Sequence, residues 1–318
     1  MSDSNSHRVF VHMGLHKTAT SALQQHYFNT LDKINFLTTR HPDSEILLKA
    51  ILRDDPINLD SKLIRSSFDK LMATDKANLI SNEALSGPPF SGLVEGGYDH
   101  RSSVLSNLSN VLPDARIILV LRRQDRYAGS LYRQYVKSGG TRDIERYYGY
   151  NQSRPACFNR NRFDFRTYIQ HITETFGRDR VLVLLYEDFV SDLPGFLSNM
   201  SDFVGIDFPV KTIKRENKTS FGSFGINVTR YMNFIIRNLV NPGAPLPGIP
   251  IKYRKGRGFK LENLSPVELI HDHWKWGSGG KNSMRYDSVL ERILDEQREG
   301  NRQLSLEYNL DLERYGYC

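Results

Sequence analysis

Three groups of residues in this 318-residue chain could do chemistry: an anion-binding turn near the start, a basic strand end near the middle, and a carboxylate between them. In Gly14-Leu15-His16-Lys17-Thr18-Ala19-Thr20-Ser21 an apolar segment ends in a glycine turn and opens a helix whose first turn holds a lysine and several hydroxyls. The free N–H groups of a helix start point outward and the helix dipole adds partial positive charge, so such a turn binds phosphate or sulfate. Lys17 adds a full charge where a leaving oxygen would become negative. Taken alone, the same residues also suit an ordinary helix capped by Thr18 or Thr20. A nucleoside-triphosphate loop reads GxxxxGK[ST]; here Lys17 follows Gly14 by only three positions with no glycine just before it, a loop too short to wrap a triphosphate.

The second group is the apolar run Arg116 to Leu121, which stops at Arg122 and Arg123. A kinase or NTPase needs a magnesium-holding acid at such a strand end, and a cation there argues against that class. Arg122 offers a planar donor fork to a phosphate dianion, and Ser130, on the following helix, can add a hydroxyl. The third group is Glu83, just past the predicted strand Ala77 to Ser81, a candidate general base for an otherwise poor hydroxyl nucleophile. His12, His16 and His100 are alternative bases, His16 foremost because it sits inside the turn. A helix-capping or solvated glutamate remains the other reading of Glu83.

VHMGLHKTATSAL resembles the 5′-phosphosulfate-binding loop of the sulfotransferase family, and RIILVLRRQDRYAGSLY resembles its 3′-phosphate-binding segment. Thinner similarity to bacterial members covers LISNEALSG, VLVLLYEDF and NRQLSLEYNLDLERYGY. The resemblance implies 3′-phosphoadenosine 5′-phosphosulfate as sulfuryl donor, with Gly14, His16, Lys17, Thr18, Ala19, Thr20 and Ser21 at its phosphosulfate and Arg122 and Ser130 at its 3′-phosphate. Arg126 and Tyr132 fit the same pattern. It also favours Glu83 as base, since bacterial and carbohydrate sulfotransferases use a glutamate after this strand. Arg254-Lys255-Gly256-Arg257-Gly258 resembles the RKGxxG loop that closes over the 3′-phosphate; a solvated basic loop and a landing strip for an acidic acceptor are equal readings. Two departures stand out: Ala19 occupies a position where the family often has glycine, and Arg123-Gln124 replaces a common proline.

These groups must be positioned by a sheet. Arg8 to Met13, Ala77 to Ser81, Arg116 to Leu121 and Val181 to Tyr186 read as strands, separated by too many residues for hairpins. Helical spacing follows the first strand through Tyr27 and recurs over Arg101 to Leu112, Asp125 to Val136 and Phe163 to Phe176, so a parallel sheet with right-handed crossovers is expected. Leu193 to Val204, Gly222 to Leu239, Ser265 to Trp274 and Ser288 to Leu306 also read as helices, with a basic loop over 240–262. Gly139 to Asn161 reads as a loop able to line an acceptor pocket.

A hydrophobic content of 39% over this length suits one large domain, and the net charge of +7 favours an anionic partner without requiring one. Two cysteines rule out a disulfide framework and favour a reducing compartment. A short polar tail over 1–7 with no leader, and no long apolar run, point to a cytoplasmic protein without a membrane span. No carboxylate or histidine spacing matches a metal ligand set, and no nucleic-acid partner is implied. The expectation is a single three-layer α/β domain of the P-loop NTPase-like type, with a central parallel sheet and helical C-terminal additions. It would sulfate a hydroxyl-bearing acceptor, a saccharide by preference. A nucleotide- or polyanion-binding protein of the same fold, or a small-molecule kinase, is the alternative.

Overall fold

The computed structural model describes residues 8–38, 42–53, 55–87, 100–151, 156–211, 223–237, 241–247, 249–255, 258–264 and 284–318. β1 (Val9–His12) is followed by α1 (Thr20–Leu23), which widens into a π-helical turn over Gln24–Phe28. Next come β2 (Ile34–Leu37), α2 (Pro42–Arg53), α3 (Ser61–Asp69) and β3 (Ala77–Ser81), then α4 (Arg101–Val111), β4 (Arg116–Leu121), α5 (Gln124–Lys137) and α6 (Ile144–Tyr148). α7 (Phe165–Phe176), β5 (Val181–Leu185), α8 (Tyr186–Ser191), α9 (Leu193–Val204) and α10 (Ser223–Ile235) follow. The later elements are β6 (Ile249–Lys255), β7 (Gly258–Leu264), α11 (Met284–Asp295) and α12 (Arg298–Tyr308).

The large sheet is parallel throughout, in the order β2-β3-β1-β4-β5. Its strands are apolar on both sides, and successive residues of β4 divide between two cores. Ile117, Leu119 and Leu121 join one with Val104, Leu108, Leu131 and Ile169, while Ile118 and Val120 join the other with Leu23, Phe28, Phe196 and Met200. Helices therefore cover both faces, which is the expected three-layer arrangement. Each such fully buried side chain stabilises the sheet by about 1.5–3 kcal/mol. The chain leaves β1 toward β2 on one side and later crosses to β4 on the other. The order thus reverses about β1, and in such sheets ligands sit beyond the carboxyl ends of the strands at that reversal.

The structure adds a fifth strand to the four expected. β2 is only INFL, too short to show alternation, and it is recruited by pairing with β3. α2 and α3 were also not foreseen; they pack with α4. Val181 to Tyr186 ends one residue early because Tyr186 already opens α8. The helix expected over Ser288 to Leu306 is two helices, α11 and α12, broken at Glu296-Gln297. Where a basic loop was expected over 240–262, β6 and β7 pair antiparallel from Ile249↔Leu264 to Lys255↔Gly258. The supposed pocket loop over 139–161 contributes α6 and a buried aromatic cluster of Tyr147, Tyr148 and Phe158, so its described part is largely core. The helix expected over Ser265 to Trp274 lies outside the described residues. Among the described residues no helix is long and apolar enough to cross a membrane, and Cys157 and Cys318 are both free thiols.

Candidate active site

The central strand β1 ends in a tight loop flanked by the ends of β3 and β4. Met13 N–H still bonds the Ile118 carbonyl at 2.8 Å, so the turn begins only after the backbone has followed β4 past His12. Gly14 is required by close approach: a Cβ there would stand 2.6 Å from Thr20 Oγ1 and 3.0 Å from His12 Nε2. Lys17 and Ala19 take left-handed backbone conformations, with φ of 68° and 61°, which curl the loop back on itself. Such angles cost an L-residue about 1–2 kcal/mol relative to glycine, the physical sense of the glycine the family often carries at Ala19. Ala19 is the N-cap of α1 and no side chain caps its first amides, so the alternative of a helix capped by Thr18 or Thr20 is not realised. Thr18 O–H is committed to the Leu15 carbonyl, leaving its backbone N–H as what it can offer an anion. Thr20 Oγ1 is buried with no partner, and Ser21 is exposed.

Lys17 is exposed, its Nζ donating to Gln134 Oε1 at 3.1 Å. From β4, Arg122 reaches the same loop: Nη1 donates to the Lys17 carbonyl at 2.9 Å, and the guanidinium lies over the Tyr186 ring at 4.6 Å. Burial, set against the nearby Tyr186 and Glu187, moves its pKa down from the ordinary value. Ser130 lies half-buried on α5, eight positions after Arg122. Arg126 is exposed beside Asp125, whereas Tyr132 is buried and donates to the Arg142 carbonyl, which makes it a packing residue. Arg123 N–H donates to Glu187 Oε1 at 3.1 Å, a bond a proline could not make.

On the other side, Glu83 opens a 3₁₀ turn, Glu83–Ser86, directly after β3. Its Oε2 lies 3.3 Å from His16 Nδ1, and the other ring nitrogen of His16 lies 3.2 Å from the Gly87 carbonyl. The His16 hydrogen bond is the largest influence on Glu83 and lowers its pKa, against the opposing effect of burial; Lys17 and His12 lower it further. His12 is fully buried, its Nδ1 2.8 Å from Ser81 Oγ and its Nε2 without a partner. Burial pulls its pKa down to about 4, with Glu83 opposing, so it is a neutral imidazole at neutral pH. That, and its enclosure, removes it as a base for an incoming hydroxyl. His100 stands exposed at the start of α4.

The structure thus gathers the Gly14 to Ser21 loop, Arg122 and Glu83 at adjoining strand ends. Gly256 lies outside the described residues, as do the side chains of Arg254 and Lys255. Residues not foreseen from sequence are Gln134, Tyr186 and Arg162, whose Nη2 donates to the Ser86 and Gly87 carbonyls. Gln134 was legible in principle, since it follows Ser130 by one helical turn and shares its face. Arg162 carried no local signal. Among the described residues no group of three or more His, Cys, Asp or Glu could hold a metal ion.

Comparison with known proteins gives one match by family and several by shape. No curated protein matches by sequence. A sulfotransferase from Alicyclobacillus acidocaldarius is 18% identical, with 66% of this chain and 87% of that chain covered and a TM-score of 0.44. A mouse sulfotransferase solved with PAP is 13% identical, with 93% and 86% covered and a TM-score of 0.40. The sulfotransferase domain of the Synechococcus olefin synthase is 14% identical, with 70% and 84% covered and a TM-score of 0.36. At this distance no residue role or substrate passes from those proteins to this chain. Residues 100–210, the stretch that carries β4, Arg122, α5 and β5, match the model of the sulfotransferase family.

Proposed function

We propose that this protein transfers a sulfuryl group from 3′-phosphoadenosine 5′-phosphosulfate to an acceptor hydroxyl, with Glu83 as base. The observation that supports this most is the convergence of three parallel strand ends. An uncapped anion loop after β1 is bonded by Arg122 from β4 and linked through His16 to Glu83 from β3. The residues fit such a donor: the first amides of α1 have no side-chain cap, and Thr20 Oγ1 is buried with no partner. Both are groups that an anion oxygen would satisfy.

When bound, the donor supplies the sulfuryl group. The loop amides and Thr20 would hold its phosphosulfate, and Lys17, exposed on a flexible stem, would place positive charge where the bridging oxygen becomes negative. Arg122 and Ser130 would select the 3′-phosphate, Arg122 presenting its fork from a strand end already braced by Tyr186. Arg254, Lys255 and Gly256 are proposed to add to that phosphate site on their sequence alone. Glu83, ionised and half-exposed, takes the proton of the attacking hydroxyl. A saccharide hydroxyl is the acceptor class we favour, from the glutamate base and the net charge of +7, and two unbridged cysteines accord with a cytoplasmic setting.

The test uses labelled donor with a panel of saccharide, lipid and phenolic acceptors, following release of adenosine 3′,5′-bisphosphate. Release that requires a saccharide supports the whole reading, and release with another class retains the transferase and removes the saccharide. Tight bisphosphate binding with no acceptor-dependent release across the panel would leave a binding protein, and transfer from ATP instead would make it a kinase.

A further inference from the structure

Among the described residues, the His16 side chain ties the anion loop to the strand-end carboxylate. Its ring is 10% exposed, against 45% for Glu83, so the histidine is the enclosed half of the pair and the glutamate the half open to an acceptor. Hydrogen-bond logic sets the proton positions. The Gly87 carbonyl can only accept, and it receives Arg162 Nη2 at 3.1 Å as well as facing His16 Nε2 at 3.2 Å. His16 Nε2 therefore carries a hydrogen. In a neutral ring with that tautomer, Nδ1 would turn a lone pair toward Glu83 Oε2 at 3.3 Å, a repulsive contact with a carboxylate. The contact is attractive only when a proton lies between them.

We propose that His16 is a positioning residue for Glu83: as an imidazolium it donates Nε2–H to the Gly87 carbonyl and Nδ1–H to Glu83, holding the carboxylate beside the anion loop. This rests on Glu83 being the base. Of the other groups facing the pair, Lys17 on the loop favours the ionised glutamate, and the Arg162 guanidinium, from the 3₁₀ turn Arg160–Phe163, lies beyond the Gly87 carbonyl. His12, on β1, acts in the same direction and is the smallest of these influences. The Gly87 end is itself fixed, because φ is 86° there and a Cβ would stand 2.9 Å from Arg162 Nη2. Rates should consequently fall in acid. In acid Glu83 is protonated, but only below the ordinary carboxylate range.

The decisive measurement is single-turnover transfer against pH, at saturating donor, for wild type, His16→Ala, His16→Gln and Glu83→Gln, with calorimetric binding of adenosine 3′,5′-bisphosphate as the check on folding. His16→Ala is expected to lower transfer at neutral pH by roughly 10- to 100-fold, the value of one hydrogen bond to a charged group, and to move the acid limb upward. His16→Gln, which can donate an N–H but carries no charge, should recover part of the rate and leave the acid limb between those of wild type and His16→Ala. An acid limb unmoved in His16→Ala, or a uniform loss at every pH, would overturn the proposal while leaving Glu83 as base. Near wild-type transfer by Glu83→Gln would instead remove the base reading itself. Should His16→Ala not bind bisphosphate, the His16→Gln profile alone decides, and an acid limb at the wild-type position there overturns the proposal.

Discussion

The two sides of the anion loop are built differently. On the β4 side the turn that presents Arg122 is tied from several directions. Arg123 makes a two-point pair with Asp125 at 2.8 and 2.9 Å, and its Nη1 donates to the Tyr315 carbonyl. Tyr317 O–H donates to Glu187, whose other oxygen accepts the Arg123 amide. Beneath it, Gln124 and Asn301 exchange amide hydrogen bonds in the core, and Asn301 also reaches the Tyr317 carbonyl. On the β3 side Glu83 sits on one 3₁₀ turn, and the hydrogen bond that most lowers its pKa comes from His16. The difference teaches a division of labour. Redundant contacts of arginine, carboxylate, phenol and amide groups fix the nucleotide side, whereas the chemical side depends on one histidine–carboxylate pair.

The largest expected effect falls on the β3 side. Glu83→Gln keeps size and some hydrogen bonding but removes proton affinity, so transfer should fall by roughly 10²- to 10⁴-fold while bisphosphate affinity survives. Single-turnover assays paired with calorimetry read both, and parallel losses would erase the division. The next effect is on stability. His12 is neutral in the fold with a pKa of about 4 against 6.5 unfolded. Its contribution is therefore fully present above about pH 6.5 and is lost as pH falls toward 4, because only the unfolded chain takes up the proton. This is worth on the order of 3 kcal/mol, at about 1.4 kcal/mol per unit. Urea unfolding of wild type and His12→Gln across that window should show the slope diminished in the variant; equal slopes would mean that His12 is protonated in the fold.

A smaller effect is expected from Arg122→Ala, which should weaken bisphosphate binding by roughly 10- to 100-fold, the range for a lost charge-assisted hydrogen bond. At saturating donor its pH profile should superimpose on that of wild type. A displaced profile would show that the two sides are coupled. Smallest is Ala19→Gly at the loop between them. Relief of the left-handed conformation, offset by a freer unfolded chain, should raise stability by up to about 1 kcal/mol with bisphosphate affinity kept, as read by thermal unfolding. A loss of stability would mean that the loop gains nothing from glycine.

What the sequence alone determined was local. The Gly14 turn, the strand ending at Arg122, the carboxylate after Ser81 and the helix carrying Ser130 are each set by residues close together in the chain, where period and glycine placement are visible. So was the fold class, because strands too far apart for hairpins and alternating with helices leave few arrangements other than a parallel sheet. What only the tertiary structure decided were the partners of those groups. His16 meets Glu83 and Gly87, Ser81 covers His12, Arg162 braces Gly87, and Asn301 pairs with Gln124 across the core. None of these pairs shares an element. The first two exist because parallel crossovers bring strand ends from distant parts of the chain to one edge, and the others because a turn and a helix far along the chain pack against it. β2 shows the same limit, since four residues without alternation become a strand only when β3 offers its free edge. Charge state follows contact in the same way: nothing around His12 or Glu83 in the chain foretells that burial holds one neutral and that a histidine's proton holds the other ionised.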